Sequence, residues 1–294
     1  MTKDHLTIRP RTTRRTLLAV FAHPDDESFG IGGTLAKYAA EGVHVVLACA
    51  TRGEAGQISD PHLGSREQLA EIRERELRCA CDVLGISELY LLGYRDSGMA
   101  GSPDNEHPRA LIQADPAEVV GKIVRVIRRV RPQVVITFEK GGGYGHPDHI
   151  AIHRHTVAAF QAAGDPDRYP EHLEEGLEPH QPQKLYFTAL PRRFFRGLAQ
   201  RLREMGLLDR FADFDWESMG IPDEMCTTEI DVSDYVDVKL RAFQCHRTQL
   251  SPDSPFSLLP REVRWEFMST ECFSLADFSL RPGQTPETDL FAGL

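Results

Sequence analysis

Apolar residues in this chain fall into short, near-continuous runs separated by stretches with helical periodicity. Thr16–Ala22 reads as the first core strand, and Val43–Ala50, a near-continuous apolar run, as a strand buried on both faces. Residues 88–92 and 133–138 predict two more strands. Gly30, Gly32 and Gly33 permit a tight turn into a helix over 31–41, which Gly42 ends. Ser65 and Gln68 have capping-box spacing at the head of a helix over 65–84, with Gly85 as its stop. Asp115-Pro116-Ala117-Glu118 combines a cap, a first-turn proline and an acid. Val119, Ile123, Ile127 and Val130 then form an apolar stripe at helical spacing, and Pro132 ends that helix. The order βαβαβ followed by αβα predicts an α/β fold whose sheet is parallel, right-handed and covered by helices.

Beyond residue 165 the pattern weakens. A strand is predicted over 184–189, a helix over 192–206, a short strand over 229–232 and a helix over 233–249; from 250 onward proline and polar residues dominate. Residues 1–14 read as a loose basic arm. Residues 15–294 read as one domain, with a core over 15–164 and a C-terminal elaboration over 165–294. The polar stretch 95–114 is long enough to be a functional loop.

Composition narrows the partners. Among 294 residues, 34 Lys and Arg face 44 Asp and Glu, a net charge of −10 that offers no footprint for a nucleic-acid backbone. The six cysteines show no CxxC and no paired spacing, which predicts free thiols in a reducing compartment. Arg14-Arg15 precedes an apolar run, but that run stops at Ala22, too short for the core of an export signal, and reads as the first core strand. No stretch is long enough to span a membrane. These features together predict a cytoplasmic protein with no membrane insertion; oligomeric state is not readable, and a homo-oligomer stays open.

The chemistry lies in two similar clusters. His23-Pro24-Asp25-Asp26-Glu27 follows the first strand, and His146-Pro147-Asp148-His149 follows the strand at 133–138. Parallel strands bring such clusters to one sheet edge, where α/β proteins place their sites. His23 and Asp26, three apart at a strand-to-helix junction, can face one point, leaving Asp25 close to the metal but off it. A carboxylate near a histidine orients the ring. Converging imidazoles and carboxylates form a divalent metal site with an acid left over for proton transfer. His149 and His153 are four apart, but without a zincin HExxH motif His153 and His155 read as ordinary helix positions. Gly30-Ile31-Gly32-Gly33 is not a dinucleotide loop, since Leu35 stands at the third glycine position. On residue physics alone, Glu54 and Arg52 read equally well as a solvated loop, Arg73 and Glu76 as an exposed helix pair, and Arg95 and Asp96 as a surface turn.

Ala22-His-Pro-Asp-Asp-Glu27, Thr51-Arg-Gly-Glu-Ala-Gly56, Arg73 with Glu76, Leu84-Gly85, Arg95-Asp-Ser-Gly-Met99 and Gly142-Gly-Tyr-Gly-His-Pro-Asp-His149 resemble the LmbE-like family, the PIG-L type of N-acetylglucosaminyl deacetylases. Within it the chain is most similar to mycothiol-pathway deacetylases and mycothiol S-conjugate amidases. A looser match covers Lys239 to Gln249, with Cys245-His246-Arg-Thr-Gln249. The resemblance implies a Rossmann-like fold and a zinc held by His23, Asp26 and His149. It implies Asp25 as the general base for water, and His146 as general acid or electrostatic stabiliser tuned by Asp148. Tyr144 matches a contact to the developing oxyanion; Glu54, Arg73 and Asp96 match contacts to the sugar or its substituent. Such N and O donors also suit Fe2+ or Co2+. The expected activity is hydrolysis of the acetamide of a small amino-sugar substrate. One rival is an amidase for a larger acyl group on a glucosaminyl thiol conjugate, supported by the segment from Asp165 through Arg168-Tyr-Pro170 to Tyr186. The other is a non-catalytic metal- or carbohydrate-binding module, against which the spare acid Asp25 argues.

Overall fold

The computed structural model describes residues 14–212, 214–250, 257–278, 280–281 and 284–294. The predicted arm therefore lies outside the described residues except for Arg14, as does part of the polar stretch after 250. Seven strands form one sheet in the order β3-β2-β1-β4-β5-β7-β6. They are β1 (Thr16–Phe21), β2 (His44–Cys49), β3 (Glu88–Leu91), β4 (Val134–Thr137), β5 (Lys184–Ala189), β6 (Thr228–Asp231) and β7 (Thr270–Leu275). The pairings from β3 through β5 are parallel, while β7 runs antiparallel to both β5 and β6.

Burial of β1 on both faces explains its unbroken apolar run. Leu17, Ala19 and Phe21 face one core cluster, while Leu18, Val20 and Ala22 face another. The first cluster takes in α1 (Asp26–Ala40), α2 (Leu69–Leu84) and α8 (Val236–Cys245). The second takes in α3 (Pro116–Val130) and α5 (Pro147–Ala162). The remaining helices are α4 (Gly142–Gly145), α6 (Glu171–Glu174), α7 (Arg192–Glu204) and α9 (Arg261–Met268).

Local signals decide where these helices begin and end. The Asp115 side chain accepts from Ala117 N–H at the head of α3. The Ser65–Gln68 capping box is present; it closes a 3₁₀ turn (Arg66–Gln68) that runs into α2. Gly85 stops α2 in the left-handed region at φ 74°. Helix α1 starts at Asp26, five residues before the predicted 31, because Asp26 and Glu27 suit the positive end of a helix dipole. Its glycines therefore sit inside the helix rather than in a turn. They let α1 approach its neighbours: a Cβ on Gly33 would meet the Val232 side chain at 2.7 Å.

Two further expectations are corrected. Cys79 of α2 and Cys245 of α8 form a disulfide, so the cysteines are not all free thiols; Cys49, Cys81, Cys226 and Cys272 are. The partners are 166 residues apart, and only the packing of α2 on α8 unites them. Strand β7 and helix α9 lie in the region read as merely polar. Among the described residues, no helix is long and apolar enough to cross a membrane. The Gly33 contact gives a stability prediction. Gly33→Ala forces a methyl against Val232 and should lower unfolding free energy by about 1–3 kcal/mol, measured by denaturant titration.

Candidate active site

The strand order reverses between β1 and β4, which places a crevice outside their carboxyl ends. His23 follows β1, Asp26 opens α1, and His146 to His149 lie where α5 begins beyond β4. His146 is the N-cap of α5, its Nδ1 accepting from Asp148 N–H at 3.1 Å, and Pro147 fills the first helical position. The local rules for starting a helix thus deliver His149 to the crevice on a rigid first turn.

Hydrogen bonds settle the state of the rings. His23 Nε2 lies 3.1 Å from Asp148 Oδ2 and 3.5 Å from Asp96 Oδ1. His149 Nδ1 lies 3.1 Å from the Gly142 carbonyl. Carboxylates and carbonyls only accept, so those nitrogens carry the protons. The lone pairs of His23 Nδ1 and His149 Nε2 are then left facing each other at 3.2 Å. Asp26 completes a triangle, with Oδ2 at 3.8 Å from His23 Nδ1 and Oδ1 at 3.4 Å from His149 Nε2. Donors bound tetrahedrally at about 2.0–2.1 Å from one ion stand about 3.4 Å apart. The site is buried: His23 is 5% and His149 2% exposed. Three acceptors converging out of water call for a cation, and the residues fit a divalent metal. The ring nitrogens of His23, His146 and His149 also lie within 4.8 Å of one another, but His146 already spends Nδ1 on the helix cap.

The surroundings hold this arrangement. Phe138 stacks on the His149 ring, with centroids 3.9 Å apart. His23 N–H donates to Asp26 Oδ2 at 2.8 Å. Asp148, fully buried, accepts from Ser97 N–H and Oγ–H and bonds His23; no side-chain bond joins it to the His146 ring. Its hydrogen bond goes to His23, and it acts on His146 through its charge, which raises the His146 pKa against the effect of burial. Burial opposes a charged His23, but Asp148 and Asp96 outweigh it and hold its pKa well above the usual value, so the space between the two rings favours positive charge, whether a proton on Nδ1 or a metal ion. Burial likewise opposes a charged Asp26, and the two imidazoles overcome it, bringing its pKa to about 2.

Asp25 sits beside the triangle in a conformation rare for a side-chain-bearing residue, φ 105°. Arg73 Nη2 bonds its Oδ2 at 3.1 Å and also the Pro24 carbonyl; Nη1 bonds the Gly53 carbonyl. Burial pushes the Asp25 carboxyl up to about 6; Arg73 pulls the other way, and Asp26 adds to the rise. His146 is brought down to about 4 by burial and by the neighbouring His23 and His149. Tyr144 is 68% exposed on a loop whose Gly142, Gly143 and Gly145 all have positive φ. A Cβ on Gly142 would come within 2.8 Å of the His149 Cβ.

A cleft of about 1150 Å³ opens over these groups, its lining including His23, Asp25, Arg73, Asp96, Tyr144 and His146 together with Gln57, Met99 and Gln249. Arg73 and Glu76 are buried at 3% and 8%, so the exposed-pair reading fails. Asp96 is also buried, accepting from Gly98 N–H and Ala55 N–H. Glu54 accepts from Asp96 N–H at 3.1 Å and is not among the cleft-lining residues. His153 lies apart from the cleft, bonded through Nδ1 to the Phe138 carbonyl. Sequence reasoning missed Ser97, although it sits next to Asp96 in the Arg95–Met99 motif. It also missed Glu139, whose carboxylate ties down Gly141 and Gly143 N–H groups.

With this geometry in place, known proteins offer a comparison. The family described as PIG-L, GlcNAc-PI de-N-acetylase, matches residues 18–160. A 1D-myo-inositol 2-acetamido-2-deoxy-alpha-D-glucopyranoside deacetylase of Thermomonospora curvata is 40% identical over 96% of this chain and 98% of its own. That of Acidothermus cellulolyticus is 42% identical over 95% of each chain. The chain belongs to the PIG-L family of de-N-acetylases. Among solved structures, the fold resembles N,N'-diacetylchitobiose deacetylase from Pyrococcus horikoshii, at TM-score 0.63 and 22% identity, covering 89% of this chain and 83% of that one. The two PIG-L clusters are thus placed by strands β1 and β4 of a Rossmann-like sheet.

The hydrogen bond from Asp148 to His23 gives a metal-binding prediction. Asp148→Asn keeps the shape but weakens the acceptor that fixes the His23 tautomer. Divalent-metal affinity should fall about 10–100-fold, measured by competition with a chromogenic chelator.

Proposed function

We propose that this protein is a metal-dependent N-deacetylase that hydrolyses the acetamide of an N-acetylglucosamine-type glycoside, releasing acetate and a free amine. The observation that carries this reading is a carboxylate outside the donor set, Asp25, which is held by Arg73 and lines the same cleft as His23. The PIG-L relatives support it across nearly the whole chain, and both named above are deacetylases of a GlcNAc-inositol. They do not favour the larger-acyl amidase, and a pure binding module has no use for the spare base.

His23 Nδ1, Asp26 and His149 Nε2 would hold the ion, which we read as zinc, with Fe2+ or Co2+ compatible with the same donors. Bound there, it would lower the pKa of water and polarise the amide carbonyl. Asp25 takes the proton as water attacks, and its raised pKa suits it both to accept that proton and to deliver it to the leaving amine. The depressed pKa of His146 keeps the ring neutral near pH 7, and with Nδ1 accepting from the backbone its Nε2 carries the hydrogen. His146 thus donates a hydrogen bond to the developing oxyanion or amine instead of acting as a strong charged acid. Tyr144, exposed on its glycine loop, supplies a second donor when substrate covers it. Arg73 and Asp96 brace Asp25 and His23 while lining the sugar side of the cleft, and Glu54 acts through Asp96.

Two measurements check this reading. Asp25→Ala should retain metal and lose at least about 100-fold in kcat for amine release from N-acetylglucosaminyl-inositol; turnover near the wild-type level would remove Asp25 from the mechanism. A base must be deprotonated to act, so kcat/KM should be lost as pH falls through about 6, seen as an acid limb in the pH–rate profile. A limb at the ordinary Asp value of about 4 contradicts a base poised by its surroundings.

A further inference from the structure

We propose that His246 is a positioning residue for the reaction: bound to Glu27, it holds the carboxylate that fixes the backbone of Asp25. The proposal rests on the reading of Asp25 as the base. His246 is wholly buried and absent from the residues lining the cleft, so it cannot touch substrate. Its Nε2 lies 2.7 Å from Glu27 Oε1, and Nδ1 has no hydrogen-bond partner among the described residues. The ring's polar contact is therefore directed at Glu27.

Glu27 is itself buried, 1% exposed, on the first turn of α1. Its other oxygen, Oε2, accepts from Asp25 N–H at 3.0 Å. Asp25 needs such help. Its φ of 105° is unfavourable for a residue with a Cβ and persists only where neighbours over-determine it. One restraint comes from Arg73, which bonds both the Asp25 carboxylate and the Pro24 carbonyl. The Glu27 carboxylate is the second, and it stands in a run of three consecutive acids, Asp25, Asp26 and Glu27. A buried carboxylate needs hydrogen-bond donors to hold it in place, and Ser28 Oγ–H, from the same helix turn, shares Oε1 with one donor that comes from outside α1. His246 is that donor.

The chain delivers His246 with evident redundancy. The preceding Cys245 is bonded to Cys79 of α2. Thr248 donates through both N–H and Oγ–H to Glu76, at 2.9 and 2.7 Å. Gln249 Nε2 reaches the Gln57 carbonyl at 2.9 Å. Arg73, Glu76 and Cys79 recur every three residues along α2. One helix thus supplies the first restraint on Asp25 directly and anchors the segment that carries the second. Through the motif Cys245-His246-Arg247-Thr248-Gln249, the C-terminal part of the chain bears on the base.

The test compares His246→Ala, His246→Gln and His246→Asn with Glu76→Gln in the full chain, using amine release from N-acetylglucosaminyl-inositol, metal content and Tm. A glutamine places an N–H donor near the position of Nε2, whereas asparagine is too short to reach Glu27. His246→Ala and His246→Asn should lower kcat about 10–100-fold, the scale of a catalytic group misplaced by a fraction of an ångström to one ångström. KM and metal content should change less than about two-fold, and His246→Gln should recover most of the lost kcat. Glu76→Gln loosens the segment but leaves the Glu27–His246 pair, so its kcat should stay well above that of His246→Asn. Where the alanine variant does not fold, the Gln and Asn pair decides alone. Equal kcat for Gln and Asn, a loss expressed in KM or metal content, or a loss in Glu76→Gln as deep as in His246→Asn would each overturn the proposal. Asp25→Ala run alongside separates the two ideas: if it turns over like wild type, the reading of Asp25 has failed, whatever His246 does.

Discussion

Two imidazole lone pairs face each other across 3.2 Å in a buried pocket, with a carboxylate closing the triangle. Two such acceptors are stable at this distance only with a proton or a metal ion between them, and the surrounding contacts hold the rings in that geometry. Asp148 and Gly142 take the outward ring protons, so neither ring can turn away without losing a bond. Ser97 fixes Asp148 in turn, and Phe138 packs flat on His149. The sheet reverses its order between β1 and β4, which brings the two clusters together from 126 residues apart in sequence. We read this triangle as the seat of a positive ion, and the depressed pKa of Asp26 with the raised pKa of His23 marks the same pocket as one that favours positive charge.

The chemistry next to this triangle departs from local preference. Asp25 adopts a backbone conformation disfavoured for any residue with a Cβ, three acids stand in a row, and Gly142 tolerates no side chain against His149. Local and global preferences commonly conflict at functional sites, and the conflict is offset by contacts elsewhere. Here the offset comes from two directions. Arg73 reaches in from α2, and the segment after α8 reaches in through Glu27. The same C-terminal region braces α1 a second time. Glu271 of β7, paired with Lys239, accepts from Gly33 and Thr34 N–H groups. The later part of the chain thus both extends the sheet and steadies the site.

How much of this is legible in the sequence depends on whether the signal is local. Strands buried on both faces show as apolar runs, and β1, β2 and β4 emerge from them within a residue or two. The helix cap at Asp115 and the stop at Gly85 are legible for the same reason. The convergence of His23, Asp26 and His149 is legible because each half is a compact cluster behind a strand. Strand β7 is not, because its buried faces include Glu271 and Ser274, whose polarity is satisfied only by distant partners. The Cys79–Cys245 bond, the Arg73–Asp25 pair and the Glu27–His246 pair are equally hidden, since each joins residues far apart in sequence; the charged types suggest a solvated surface and the cysteines show no paired spacing. Arg73 is the instructive case: a charge in a charged helix segment reads as exposed, yet it is 3% exposed and ties two loops together, the turn after β1 and the loop after β2.

We infer that one divalent cation would be held by His23 Nδ1, Asp26 and His149 Nε2, next to Asp25. Anomalous diffraction from crystals of the full chain grown with zinc tests it directly. The account predicts one strong peak about 2.0–2.2 Å from those donors, with its free side toward the cleft. A peak ligated elsewhere, or rings of His23 and His149 turned apart with no ion between them, would contradict it.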